Sequence, residues 1–178
     1  PLILLIQDQV NDLVKRNIKA CFLGSHQTSS KIIKDAFAGE YNIIYITPEK
    51  LSTSYEKFVK IKDKICLFAV DEAHCISKWG HDFRKSYLQL CLLRKGGLSN
   101  IPIATFTATA TMEIRKFISQ NLKLRNPLIF SSSFNRPNLC YHGSQVSDNC
   151  VENVLAKHEY GSVIIYATEK KTCDSMYS

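Results

Sequence analysis

Short apolar runs alternate with amphipathic stretches along most of the chain. Pro1–Ile6 (PLILLI) is a continuous run of strand length, and Ile6, Val10, Leu13 and Val14 then recur at helical spacing. Ala20–Leu23 reads as a short strand and Lys31–Ala38 as a helix. Asn42–Ile46 is a strand that Pro48 cannot extend. Ile65–Val70 (ICLFAV) is apolar without interruption, the pattern of a parallel strand covered on both faces. Ile101–Phe106 repeats it and leads into a helix with Ile114, Phe117 and Ile118 inward, and Leu128–Ser131 closes the series. A polar stretch containing Pro, Ser131–Asn138, reads as a linker. A second series follows: a strand at Leu139–His142, a helix around Val151–Leu155 and a strand at Val163–Ala167.

Strands alternating with helices predict an α/β protein with a doubly wound parallel sheet. The second series, about forty residues long, is too short for an independent domain of that type. Because the chain opens at Pro1 inside an apolar run, an internal piece of a longer protein is expected. With 178 residues, 45% hydrophobic and 22% charged, the composition is that of ordinary globular protein, which excludes collagen-like and disordered classes. No run approaches the ~20 apolar residues that span a bilayer.

Charge narrows the choice of partner. Lys and Arg exceed Asp and Glu, 23 to 16, and the surplus is greatest between residues 71 and 130, where an anionic partner is expected. The seven cysteines contain no CxxC pair, and Cys21, Cys66 and Cys91 fall in apolar stretches, as do reduced structural thiols of intracellular proteins. His74, Cys75 and His81 lack a fourth ligand at zinc-like spacing, so no zinc is expected within these residues.

The segment ICLFAVDEAH places two adjacent carboxylates, Asp71 and Glu72, and then His74 directly after a buried strand. Ligands of open parallel sheets bind at the carboxyl ends of strands. Two carboxylates there divide the labour of phosphoryl transfer: Asp71 holds Mg²⁺, and Glu72 orients and deprotonates the attacking water. A solvated acidic turn is the plainer alternative, and the long apolar run before the pair weighs against it. In the next stretch, CISKWGHDFRKSY, Trp79, Phe83 and Tyr87 interleave with Lys78, Arg84 and Lys85. Rings that stack bases beside cations that meet phosphates suit a single-stranded nucleic acid. A hydrophobic cluster beneath a loop gives the same composition.

DEAHCISKWGHDFR resembles the extended DEAH motif and aromatic-rich loop of RecQ-family DNA helicases. PLILLIQDQV, IIYITPEKL, TFTATAT, FNRPNL and SVIIYATEKK resemble further motifs of that family, in the same order, and CFLGS and LKLRNP are most like its Werner-type branch. The resemblance implies a RecA-like fold of P-loop NTPase type. Residues 1–130 would belong to the first lobe, lacking its N-terminal P-loop part, 131–138 to the interlobe linker, and 139–178 to the start of the second lobe. It implies ATP with Mg²⁺ as cofactor and single-stranded and forked DNA as partners. It further implies 3′-to-5′ unwinding in repair, recombination and replication, and a nuclear location. Asp71 and Glu72 would be the magnesium-binding and water-activating carboxylates, and His74 the link between nucleotide and DNA. Trp79, Phe83 and Arg84 would sense single-stranded DNA. Gln9 and Thr47 would lie along the DNA path, and Thr107 and Thr109 beneath the nucleotide.

The chain also departs from the family pattern. Leu4 replaces a usual Ser, Lys85 and Ser86 stand where Pro and Glu are common, and Glu169 and Lys170 replace Ser and Arg. No GxxxxGK[ST] loop occurs anywhere in these residues, so the chain alone is expected to be inactive as an ATPase. An RNA helicase of DEAH type, or a DNA-binding module without ATPase activity, are the rival readings.

Overall fold

A computed structural model describes residues 3–25, 27–77, 83–108, 110–133, 135–141, 143, 150–156 and 161–177. The chain divides into two units, residues 1–129 and 130–178.

The first unit opens with α1 (Ile3–Lys15) and β1 (Ala20–Leu23), followed by α2 (Ser30–Ala38) and β2 (Ile43–Ile46). Ser29 caps α2 by accepting the Ile32 N–H, and Gly39 ends it in the left-handed region (φ 72°), where a side chain would be strained. Two short helices follow, α3 (Pro48–Thr53), with Pro in its first turn, and α4 (Tyr55–Lys60). Then come β3 (Phe68–Val70), a 3₁₀ turn (Ala73–Ile76), a 3₁₀ helix (Lys85–Arg94), β4 (Ile103–Thr105) and α5 (Met112–Asn121).

β1 pairs in parallel with β2, Ala20 opposite Ile43 through Leu23 opposite Ile46. β3 pairs in parallel with β4, Phe68 opposite Ile103 through Val70 opposite Thr105. Among the described residues these are two separate two-stranded sheets. Helices pack around them: α1 on β1, α3 on the 3₁₀ helix Lys85–Arg94, and α5 on the turn Ala73–Ile76. The core they enclose includes Leu23, Ile76, Leu93, Leu98 and Leu122, all essentially inaccessible, each worth about 2 kcal/mol of apolar burial.

Several expected elements differ. Pro1–Ile6 is not a strand over its described part: Ile3 already belongs to α1, and Leu4 and Leu5 are exposed. The helical phase of Ile6, Val10 and Leu13 extends backwards to Ile3, and among the described residues no strand pairs with the run. Ile65–Val70 shrinks to Phe68–Val70, with Cys66, Leu67 and Ala69 exposed, so this strand is not covered on both faces. Its pairing stops where Pro102 precedes β4, since proline has no N–H to give. Leu128–Ser131 forms no strand, and Leu128, Ile129 and Phe130 lie open to solvent.

The second unit has α6 (Cys150–Ala156), which matches the expected helix, and α7 (Lys170–Tyr177), which was not anticipated. Residues 139–141 and 163–167 are not strands, and Ile164 and Tyr166 are exposed. A strand exists only through its partner, and neither segment has one among the described residues. Glu169 accepts backbone N–H groups of Thr172 and Cys173 through its carbonyl at the start of α7, a position that favours an acidic residue.

Burial pushes the Cys21 thiol on β1 up to about 11 from 9.0. Its folded pKa is raised, so the stability it contributes is complete below pH 9 and is lost as pH rises through 11. The thermal midpoint followed by circular dichroism should therefore fall across that window, and less steeply in Cys21→Ala. An equal slope in the variant would reject the assignment.

Candidate active site at the ends of two parallel strands

β3 and β4 run side by side and end together, and their hydrogen bonding continues past the strands. Phe106 N–H donates to the Val70 carbonyl (2.8 Å), and Ala73 N–H donates to the Phe106 carbonyl (2.9 Å). This fixes the turn Asp71–His74 against Phe106 and Thr107. Asp71 is exposed, and its Oδ1 accepts the Glu72 N–H at 2.9 Å. Glu72 has left-handed backbone angles (φ 49°, ψ 42°), unusual for a residue with a side chain. Strain of this kind costs on the order of 1–3 kcal/mol and concentrates at functional positions.

His74 Nδ1 lies 2.9 Å from the Thr107 hydroxyl and 3.3 Å from Glu72 Oε2. One ring nitrogen thus stands between a carboxylate from the first strand end and a hydroxyl from the second. The structure brings Asp71, Glu72, His74 and Thr107 into one constellation. Thr109 and Trp79 lie outside the described residues.

Phe83 and Arg84 are exposed at the start of the 3₁₀ helix Lys85–Arg94, and Arg84 N–H donates to the Cys75 carbonyl at 2.9 Å. Tyr87 follows the second of the two readings of this segment, a hydrophobic cluster. Instead of standing ready to stack on a base, its ring is only 5% exposed. Tyr87, Leu90 and Leu93 are the buried residues of this helix, and their spacing of three is the 3₁₀ period. That spacing is present in the sequence, though no helix was expected here, and it is the signal by which the helix could be found. Burial, foremost, pushes the Tyr87 phenol up to about 12, so it stays a hydrogen-bond donor at neutral pH.

Gln9 is half-buried on α1, and Thr47 follows β2; both belong to the other strand pair. Thr47 is the N-cap of α3, its hydroxyl accepting the Lys50 N–H at 3.3 Å. It also bonds the Glu49 carboxylate, which lies below its ordinary range chiefly through the Ser86 hydroxyl and less through Thr47. Ser86 therefore ties the 3₁₀ helix to α3 at a position where the resemblance favours Glu. A separate surface cavity of about 570 Å³ between α2 and α4 is lined by Ile33, Lys34, Phe37, Lys57 and Lys60 and shares no residue with this site.

Among the described residues no three His, Cys, Asp or Glu side chains converge on one metal position. No helix among them is long and apolar enough to cross a membrane.

The parallel strands β3 and β4 thus end in a DEAH turn whose histidine meets Thr107, two residues beyond β4. The DEAD/DEAH box helicase family model matches residues 1–117. Similar proteins include the mouse bifunctional 3′-5′ exonuclease/ATP-dependent helicase WRN, 38% identical over 99% of this chain and 13% of that protein. The Caenorhabditis elegans ATP-dependent helicase wrn-1 is 39% identical over 99% of this chain and 18% of its own length. The Haemophilus influenzae ATP-dependent DNA helicase RecQ is 40% identical over 79% of this chain and 23% of its own length. The chain belongs to the DEAD/DEAH box helicase family, within its RecQ group. It spans less than a fifth of the first two relatives.

Proposed function

We propose that these residues form part of the motor of an ATP-dependent DNA helicase that unwinds forked or recombination-type duplexes with 3′-to-5′ polarity. The observation that carries the reading is the His74 bridge between Glu72 and Thr107, set on two parallel strand ends. In this reading residues 1–130 contribute most of a first RecA-like lobe of a doubly wound sheet. Residues 131–138 are the linker, and 139–178 begin a second lobe. Repair, recombination and replication in the nucleus are the setting that goes with the Werner-type resemblance.

Magnesium bound with ATP neutralises charge developing on the transferred phosphoryl group. Asp71 would hold it, since an exposed carboxylate at a strand end suits a cation that keeps waters and phosphate oxygens as its other ligands. Glu72 orients the attacking water and takes its proton. His74 and Thr107 register whether the nucleotide is present, with Thr109 beside them, because a shift of Thr107 changes which partner holds the shared ring nitrogen. Trp79, Phe83 and Arg84 meet the loaded strand, and Gln9 and Thr47 lie along its path. Thr47 spends its hydroxyl on the cap and on Glu49, so its contact would be through the backbone of the same turn.

The test is strand separation by the full-length protein on forked duplexes bearing a single 3′ or 5′ tail. ATP-dependent unwinding from the 3′ tail is expected. Equal unwinding of RNA duplexes would favour a DEAH-type RNA helicase. Tight DNA binding without ATP turnover would leave only a binding module.

A further inference from the structure

The peptide unit between Asp71 and Glu72 is held from both sides. Its N–H donates to Asp71 Oδ1 at 2.9 Å, and its carbonyl accepts the Tyr87 hydroxyl at 3.3 Å. A peptide is a rigid plane, so a pull on its carbonyl also tilts the N–H that orients the Asp71 carboxylate. The same plane sets the left-handed backbone of Glu72. Tyr87 stands one turn beyond the exposed Phe83 and Arg84: its own N–H donates to the Arg84 carbonyl (2.9 Å), and Arg84 N–H donates to Cys75 (2.9 Å). The root of the aromatic segment is thereby tied to the DEAH turn twice, at Cys75 by backbone and at Asp71 by the Tyr87 side chain.

We propose that Tyr87 is a positioning residue whose buried hydroxyl transmits engagement of DNA at Phe83 and Arg84 to the Asp71–Glu72 peptide, aligning the two carboxylates for hydrolysis. This rests on the reading of those carboxylates as the nucleotide site. The ring is held in the core, so motion at the root of the segment reaches the hydroxyl through a packed side chain. Phe83 and Arg84 touch the strand, whereas Tyr87 touches neither DNA nor nucleotide and acts only through the peptide.

The experiment is DNA-stimulated ATP hydrolysis by the full-length protein and its Tyr87→Phe and Tyr87→Leu variants. In each, the DNA concentration for half-maximal stimulation and the thermal midpoint are measured alongside kcat. Phe keeps the ring and Leu does not, but both lack the hydroxyl. Both variants should lose about five- to tenfold in DNA-stimulated kcat, the rate equivalent of one neutral hydrogen bond. Half-maximal DNA should be unchanged, and the thermal midpoint should fall only in the Leu variant. Tyr87→Phe with kcat within twofold of wild type, or kcat that follows the thermal midpoint, would overturn the proposal and leave the active-site reading standing. A wild-type protein with no DNA-stimulated hydrolysis would overturn that reading and this proposal together.

Discussion

Glu72→Gln in the full-length protein is expected to reduce ATP turnover about 10²–10⁴-fold, the usual contribution of a general base, while ATP and DNA binding persist. The substitution is nearly isosteric, so it should preserve the left-handed turn and the approach of His74 to the side chain. What it removes is the group able to accept a proton from water. Steady-state turnover, nucleotide binding and DNA anisotropy measured on one preparation decide the matter. Turnover retained within a few-fold would eliminate Glu72 as the base, and simultaneous loss of nucleotide binding would mark it as a binding group instead.

The second large effect concerns the 178-residue chain by itself, which is expected to show no DNA-stimulated ATP turnover. The carboxylates stand at the strand ends, but no Gly-rich phosphate loop with its lysine is present among these residues. Such a loop surrounds the phosphates with backbone N–H donors, and without it the γ-phosphate is not held in line with a water at Glu72. Phosphate release assayed with and without single-stranded DNA is the measurement. Stimulated turnover by this chain would show that another set of donors holds the nucleotide.

Much of the site could be read from residues because it depends on one strong local pattern. A buried run ending in two carboxylates has few places to go in a parallel sheet, and β3 delivers Asp71 and Glu72 to a strand end next to β4. β1, β2, α2 and α5 were legible for the same reason, their apolar spacing being matched to what they pack against. The opening PLILLI run was not, because an apolar hexamer fits a strand or a helix equally and only its neighbours decide. The runs at residues 128–131 and 163–167 carry strand-like sequence but find no partner among the described residues, and they lie largely exposed. The left-handed Glu72 has no sequence signature, since glutamate rarely adopts those angles without tertiary constraint. The His74–Thr107 contact joins residues 33 apart and became visible only when two strand ends met. Tyr87 stayed open between a base-stacking ring and a buried cluster, because composition counts an aromatic ring without saying which way it faces, and its burial decides for the cluster.

The 3₁₀ helix Lys85–Arg94 is ten residues long, where runs beyond three or four are uncommon. A 3₁₀ helix advances about 2.0 Å per residue and an α-helix about 1.5 Å, so this segment holds roughly 5 Å of slack that rewinding into α form would take up. Its buried residues, Tyr87, Leu90 and Leu93, anchor it from end to end, and Phe83 and Arg84 lie just before it. These three residues line up on one side only at the three-residue period, so rewinding would turn them out of the core, and their burial holds the segment in its stretched form with Phe83 and Arg84 at full reach.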